Sequence, residues 1–253
     1  MTIAEINSET GNAVAAADIK DQLRNQGYAV VRSANLPLEP AVRSYEAALA
    51  SAWNTLETDN YLRNGARFRE RRYGLYRYIP AERDLRLLAH RPYFQSETAN
   101  AYAGGIHRVV APLTKSSLCN PLLDALIELD YAQFPLAAEL GREPWQVACH
   151  QFRIIATAQE PGEPTPEGIH RDEIDFGAIH LVSRTNADGG YSRIYNNARE
   201  QVAEFRLESR LDTMFWADRD VLHSVTPITA IDPARRAVRD ILILGYKRGV
   251  TSG

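Results

Sequence analysis

Thiols are scarce: Cys119 and Cys149 are the only two in 253 residues, and they form no CxxC pairing. That argues against a disulfide framework and makes a reducing cytoplasm the expected compartment. Nor is there any apolar run near the roughly 18 residues that a membrane helix needs. The opening Met1-Thr2-Ile3-Ala4-Glu5 has no basic stretch leading into an apolar one, so no secretory signal is expected. Charge of one sign is also in short supply. A net charge of −3 and a pI near 6.1 argue against a general binder of nucleic acid or membrane surfaces. Internal repeats, low-complexity tracts and a glycine-rich phosphate loop are all missing.

What remains is an ordinary globular composition, 45% hydrophobic and 24% charged, long enough for one sizeable core. Residues 1–17, rich in Ala, Asn, Thr and Ser, are expected to be a poorly ordered leader. Asp18 to Gln26 fits a short helix ending at Gly27, and Tyr28 to Val31 a strand. Val42 to Leu56 and Leu122 to Leu140 carry apolar residues at helical spacing. After Glu143 the character changes to short β-branched and aromatic runs: 145–155, 174–182, 191–195, 202–207, 214–216, 221–226 and 238–246. Turn signals such as Pro161-Gly162, Asp188-Gly189-Gly190 and Asp232-Pro233 separate several of them. The expectation is a single α+β domain: helix-rich support over 18–143 and a β-barrel core over 144–247.

His170-Arg171-Asp172 sets an imidazole and a carboxylate two residues apart, on one face of an extended backbone. A second imidazole, His223, follows in the strand-like Asp220-Val221-Leu222-His223-Ser224-Val225. Two His and one carboxylate on one face of an octahedron leave three positions open, which suits Fe(II) that must also take a cosubstrate and dioxygen. Arg239 heads a strand that is apolar on both faces and shares a face with Ile241 and Ile243, while Asp240 falls on the other with Leu242 and Leu244. A buried arginine there needs an anion, and the distal carboxylate of a dicarboxylate would supply one. Arg235 and Arg236 follow Asp232-Pro233 in a turn and read as solvated.

Other features carry less. His170-Arg171-Asp172 with Asp175-Phe176-Gly177 mimics two protein-kinase signatures, but Gly177 stands where a kinase has Asn and no glycine-rich loop precedes it. His180 shares a face with Ala178 and Val182 and reads as a core histidine; His90 and His107 have no ligand partner nearby. Gln151 and Arg153 are candidate pocket-wall residues on the strand that holds His150. The run 67–78, dense in Arg and Tyr, is open to three readings: a salt-bridged surface face, a site for a small substrate's carboxylate through Arg72, or a single-stranded nucleic-acid contact.

Gly168-Ile169-His170-Arg171-Asp172, Asp188-Gly189-Gly190, the stretch from Asp218 to Pro227 and Arg239-Asp240-Ile241-Leu242-Ile243 together resemble a family of small bacterial 2-oxoglutarate/Fe(II) dioxygenases. That family includes L-isoleucine 4-hydroxylase-like enzymes and homologues of biofilm stress and motility protein A. The likeness spans roughly residues 145–247 and includes His150-Gln151-Phe152-Arg153. It implies a double-stranded β-helix (jelly-roll, cupin-like) core, with His170, Asp172 and His223 holding Fe(II). It implies 2-oxoglutarate as cosubstrate, dioxygen as oxidant, and hydroxylation of a small metabolite such as a free amino acid. The sequence has Ile241, not Ser, two residues after Arg239, so Tyr195 or Thr226 is expected to assist Arg239. Three alternatives stay open: a nucleic-acid- or protein-modifying oxygenase, a cupin-like protein with another metal, and a non-catalytic stress-response protein. Oligomeric state is not legible.

Overall fold

The computed structural model describes residues 16–98 and 100–249. Among these are thirteen strands: β1 (Tyr28–Val31), β2 (Glu57–Thr58), β3 (Arg69–Ile79), β4 (Asp84–Leu87), β5 (Trp145–Ala156), β6 (Phe176–Thr185), β7 (Ala187–Gly189), β8 (Ser192–Tyr195), β9 (Gln201–Phe205), β10 (Thr213–Ala217), β11 (Leu222–Val225), β12 (Ile228–Ala230) and β13 (Ala237–Arg248). The five α-helices are α1 (Ala16–Gln26), α2 (Pro40–Arg43), α3 (Glu46–Ser51), α4 (Lys115–Leu118) and α5 (Pro121–Gln133).

Eight strands form one antiparallel sheet in the order β1-β10-β6-β13-β5-β3-β2, with β4 also paired to β3. A three-stranded sheet, β11-β8-β9, and the pair β12-β7 complete the structure. Side chains alternate across the large sheet, so each of its central strands has a helix face and a cavity face. On the helix face Val147, Cys149, Leu242, Leu244 and Tyr246 join Ile19 and Leu23 of α1 and Leu122, Leu123, Leu126 and Ile127 of α5 in the main core. A buried Leu contributes about 2 kcal/mol through area removed from water, so these two helices fasten the sheet from behind.

Local chemistry sets the helix ends. Asn120 caps α5 by accepting the amide of Leu122, Pro121 occupies the first turn, and the helix stops at Gln133 because Phe134 precedes Pro135. The helix expected to reach Leu140 is therefore shorter. α1 ends at Gly27, whose φ of 79° and bond to the Leu23 carbonyl (3.1 Å) make the expected C-terminal cap. The single helix expected over 42–56 is divided into α2, α3 and a 3-10 turn, Ala52–Thr55, which buries Trp53 with its indole N–H donating to the Phe152 carbonyl. The expected leader falls outside the described residues except at its last two, which already belong to α1.

The main correction concerns the first half of the chain. It contributes β1 to β4 to the large sheet, and the Arg/Tyr-rich run becomes β3, a mostly buried strand hydrogen-bonded to β5 from Arg69 to Tyr78. It is neither a helix nor a solvated surface face.

Candidate active site

A two-bond bridge brings the predicted ligands together. His170 N–H donates to the His223 carbonyl and His223 N–H to the His170 carbonyl, both at 3.1 Å, so a loop before β6 is locked against β11. The two rings lie 4.4 Å apart between centroids. Asp172 completes the group: its carboxylate oxygens are 3.6 Å from His170 Nε2 and 3.4 Å from His223 Nε2. One potential ligand atom from each residue lies within 4.8 Å of the others.

The neighbours of these residues fix their orientation. His170 Nδ1 donates to the Gly168 carbonyl (2.9 Å), which leaves Nε2 facing the cavity. The Asp218 carboxylate accepts from the amides of Asp172 and Ile174 and from the Trp216 indole, so it holds the Asp172 loop in place. Trp216 packs against the His223 ring at 5.1 Å. It can do so only because residue 177 is glycine: a Cβ there would meet the indole at 2.2 Å.

Burial by itself would depress the His170 imidazolium, but hydrogen bonding and charge from Asp172, with Glu167 behind, hold it up at about 9. Burial also opposes ionisation of Asp172, yet the two imidazoles keep its carboxyl well below the usual carboxylate range. This cluster of nitrogen and oxygen donors suits a divalent cation, which would take the place of the protons.

The cavity next to the triad is floored by the large sheet. Arg69 and Arg71 of β3, His150 and Phe152 of β5, and Arg239 and Ile241 of β13 all line it. Arg239 is 1% exposed, and none of its three guanidinium nitrogens has a hydrogen-bond partner among the described residues. Burial, with Arg184 nearby, lowers its pKa to about 10. Gly190, at a φ of 67°, gives it room, since a Cβ there would sit 3.3 Å from Arg239 Cδ.

Other expected site residues fall elsewhere. Arg72, one position out of phase with Arg71, turns to the carbonyls of Thr55 and Pro112 and to Glu57. Gln151 is fully buried on the helix face and donates to Ser117 Oγ. Arg153, on that same face, forms a two-pronged pair with Asp240 at 2.8 and 2.9 Å. Thr226 accepts from the Tyr191 amide, and Tyr195 meets Ser224 at 3.1 Å; neither lines the cavity. His180 is a core residue, as expected, bridging Thr213 and Asp130.

Sequence reasoning did not find Arg69, Arg71, Tyr93, Gln95, Arg108 and Glu167, all of which line the cavity. The period-two spacing of Arg69, Arg71 and Tyr73 was the available signal for the first two. Arg71 donates to His150 Nδ1 at 3.1 Å, and burial together with this guanidinium drives the His150 pKa well down. His150 is thus a neutral acceptor stacked on Tyr73 and Phe152.

Comparison with known proteins settles the class. The profile of the 2OG-Fe dioxygenases matches residues 50–245. The chain belongs to that family, whose enzymes use Fe(II), 2-oxoglutarate and dioxygen. The L-isoleucine-4-hydroxylase of Bacillus thuringiensis is 30% identical over 195 residues, covering 76% of this chain and 78% of the relative. The 3(1)-hydroxy-L-isoleucine 4-dioxygenase of Pantoea ananatis is 30% identical over 159 residues, 62% of this chain and 64% of that one. Among solved structures, a bsmA homologue from Methylobium petroleophilum PM1 superposes with a TM-score of 0.86 at 30% identity, over 98% of this chain and 99% of that one.

Proposed function

We propose that this enzyme hydroxylates a small free amino acid, with His170, Asp172 and His223 as the iron ligands and Arg239 as the anchor of 2-oxoglutarate. The observation that carries the proposal is one cavity holding both a convergent His-Asp-His group and a fully buried arginine with no partner. The two sheets are proposed to form the double-stranded β-helix, with the cavity between them. Two unpaired thiols, Cys119 and Cys149, support the cytoplasm as the compartment. No helix among the described residues is long and apolar enough to cross a membrane.

Bound iron supplies the redox chemistry that couples oxidative decarboxylation of 2-oxoglutarate to succinate and carbon dioxide with insertion of an oxygen atom into a substrate C–H bond. The protein's part is to bind and orient. The Arg239 fork matches a carboxylate, and a bond formed in this dry setting is stronger than one in water. Asp218 and the His170–His223 bridge keep the three ligands preorganised, so binding requires little rearrangement. Ile154 lies opposite Arg239 in the β5–β13 ladder and Ile241 follows it on the same face, so the cavity around this strand is lined with apolar side chains.

The amino-acid assignment draws on the named activities of the two isoleucine-directed relatives. The test is anaerobic reconstitution with Fe(II) and 2-oxoglutarate, then exposure to oxygen with each of the twenty amino acids in turn, scored by succinate release. Stimulation by at least one aliphatic amino acid is expected. Stimulation by single-stranded DNA, and by no amino acid, would move the enzyme to nucleic-acid modification.

A further inference from the structure

The cavity wall carries four arginines, Arg69, Arg71, Arg108 and Arg239, against two carboxylates, Glu167 and Asp172. Asp59, buried behind the wall, takes up two of the four. It accepts from Arg69 at 2.7 and 2.8 Å and from Arg71 at 3.4 Å. Arg108 and Arg239 are left without a carboxylate partner among the described residues. Arg239 is accounted for by the cosubstrate. Arg108 is not.

Arg108 is 2% exposed and comes from the segment that covers the cavity, held there by a pair of 2.8 Å backbone bonds with Tyr93. Among the described residues its one side-chain hydrogen bond is to Gln95 Oε1 (2.7 Å), and its Nε has no partner there. The guanidinium lies over the Tyr93 ring at 4.7 Å, which fixes its plane. A buried cation fixed in this way with spare donors is set up for an anion.

Glu167 lies close enough for its charge to act on Arg108. Its side chain is 11% exposed, and its one ion-pair contact among the described residues is His170 Nε2 at 3.4 Å, the atom proposed for iron. With that nitrogen committed to the metal, Glu167 is a nearly buried carboxylate in need of a cation. Ile174, Ile243 and Trp216 are apolar residues that line the same cavity.

We infer that Arg108 and Glu167 form a receptor for the two charged groups of an α-amino acid, with Arg108 taking the carboxylate and Glu167 the ammonium. The aliphatic side chain then lies along Ile174, Ile243 and Trp216, beside the triad. This rests on the proposed hydroxylase function and adds a recognition rule: both charged groups are required, and the side chain is selected only by size and apolarity. Peptides and amides are refused because a neutral group leaves the Arg108 guanidinium unpaired.

The test is calorimetry on the anaerobic protein loaded with Fe(II) and 2-oxoglutarate, so that binding is read without turnover. The probes are L-isoleucine, L-leucine and L-valine, then the amide and the deaminated acid of whichever binds tightest. The amide is expected to bind about 100-fold more weakly, and so is the deaminated acid. Arg108→Met should weaken the amino acid to the level of the amide while leaving the 2-oxoglutarate dissociation constant within about twofold. Arg108→Lys keeps the charge and should fall between the two, which guards against a folding defect in the first variant. Glu167→Gln should remove the preference for amino acid over deaminated acid. Equal binding of acid and amide, with Arg108→Met unchanged, would overturn the receptor and leave the hydroxylase standing. If 2-oxoglutarate binds but none of the three amino acids does, the amino-acid assignment fails, and the receptor with it.

Discussion

The two faces of β13 treat ionisable residues in opposite ways. On the helix face Arg153 and Asp240 saturate each other, with Ser183 as a further donor at 2.8 Å, and on neighbouring β6 His180 is bonded at both nitrogens. On the cavity side, among the described residues, Arg239 has three free nitrogens and His223 Nδ1 is also without a partner. Both sets are buried, so depth does not separate structural from functional groups. Saturation does. An unpaired buried charge costs several kcal/mol, and it persists where a ligand completes it.

The contrast is broken most severely at the triad. Asp172→Ala and His223→Ala should each abolish 2-oxoglutarate turnover while the circular dichroism spectrum stays that of the parent, because the proposed ligands sit beside a cavity and not in a core that would need metal to fold. Turnover retained in both would move the metal elsewhere. Asp218→Ala, which frees the amides of Asp172 and Ile174, should cost about 10- to 100-fold in metal affinity by direct titration. An unchanged affinity would reduce Asp218 to a packing residue.

Substitutions on the helix face should act on stability alone. Arg153→Ala leaves Asp240 buried without its main partner and should lower unfolding free energy in urea by about 3 kcal/mol. Arg72→Ala loses bonds at a more accessible edge and should cost about 1 kcal/mol, with no change in KM for any amino acid. A tenfold rise in that KM would return Arg72 to the site and reverse the assignment of faces.

How much of this was legible depended on pattern. The His170–Asp172 pair and the face shared by Arg239, Ile241 and Ile243 follow from period-two geometry, and the structure places them as expected. The faces of β5 could not be read in the same way. The strand is largely buried on both sides, so its hydrophobicity does not alternate; Gln151 and Arg153 lie opposite His150, as expected, but their face is not the pocket wall. β3 misled for a different reason. Its arginines look solvated in sequence, yet Asp59, ten residues before Arg69, neutralises them inside the sheet. The period-two spacing of Arg69, Arg71 and Tyr73 shows a shared face, but nothing in it reveals the carboxylate ten residues earlier that neutralises the arginines.

A saturated arginine, Arg153, and an unsaturated one, Arg239, lie in neighbouring strands of one sheet. The most direct test of that difference is the 2-oxoglutarate dissociation constant, measured anaerobically with Fe(II), for Arg239→Ala and Arg153→Ala side by side. Arg239→Ala should weaken binding by roughly two to three and a half powers of ten, the equivalent of about 3–5 kcal/mol, with Arg239→Lys recovering only part. Arg153→Ala, and Arg236→Ala in the exposed turn before β13, should leave the constant within about twofold. If Arg239→Ala binds like the parent while either of the others weakens binding about a hundredfold, the cosubstrate is anchored elsewhere and the division between the two faces is wrong.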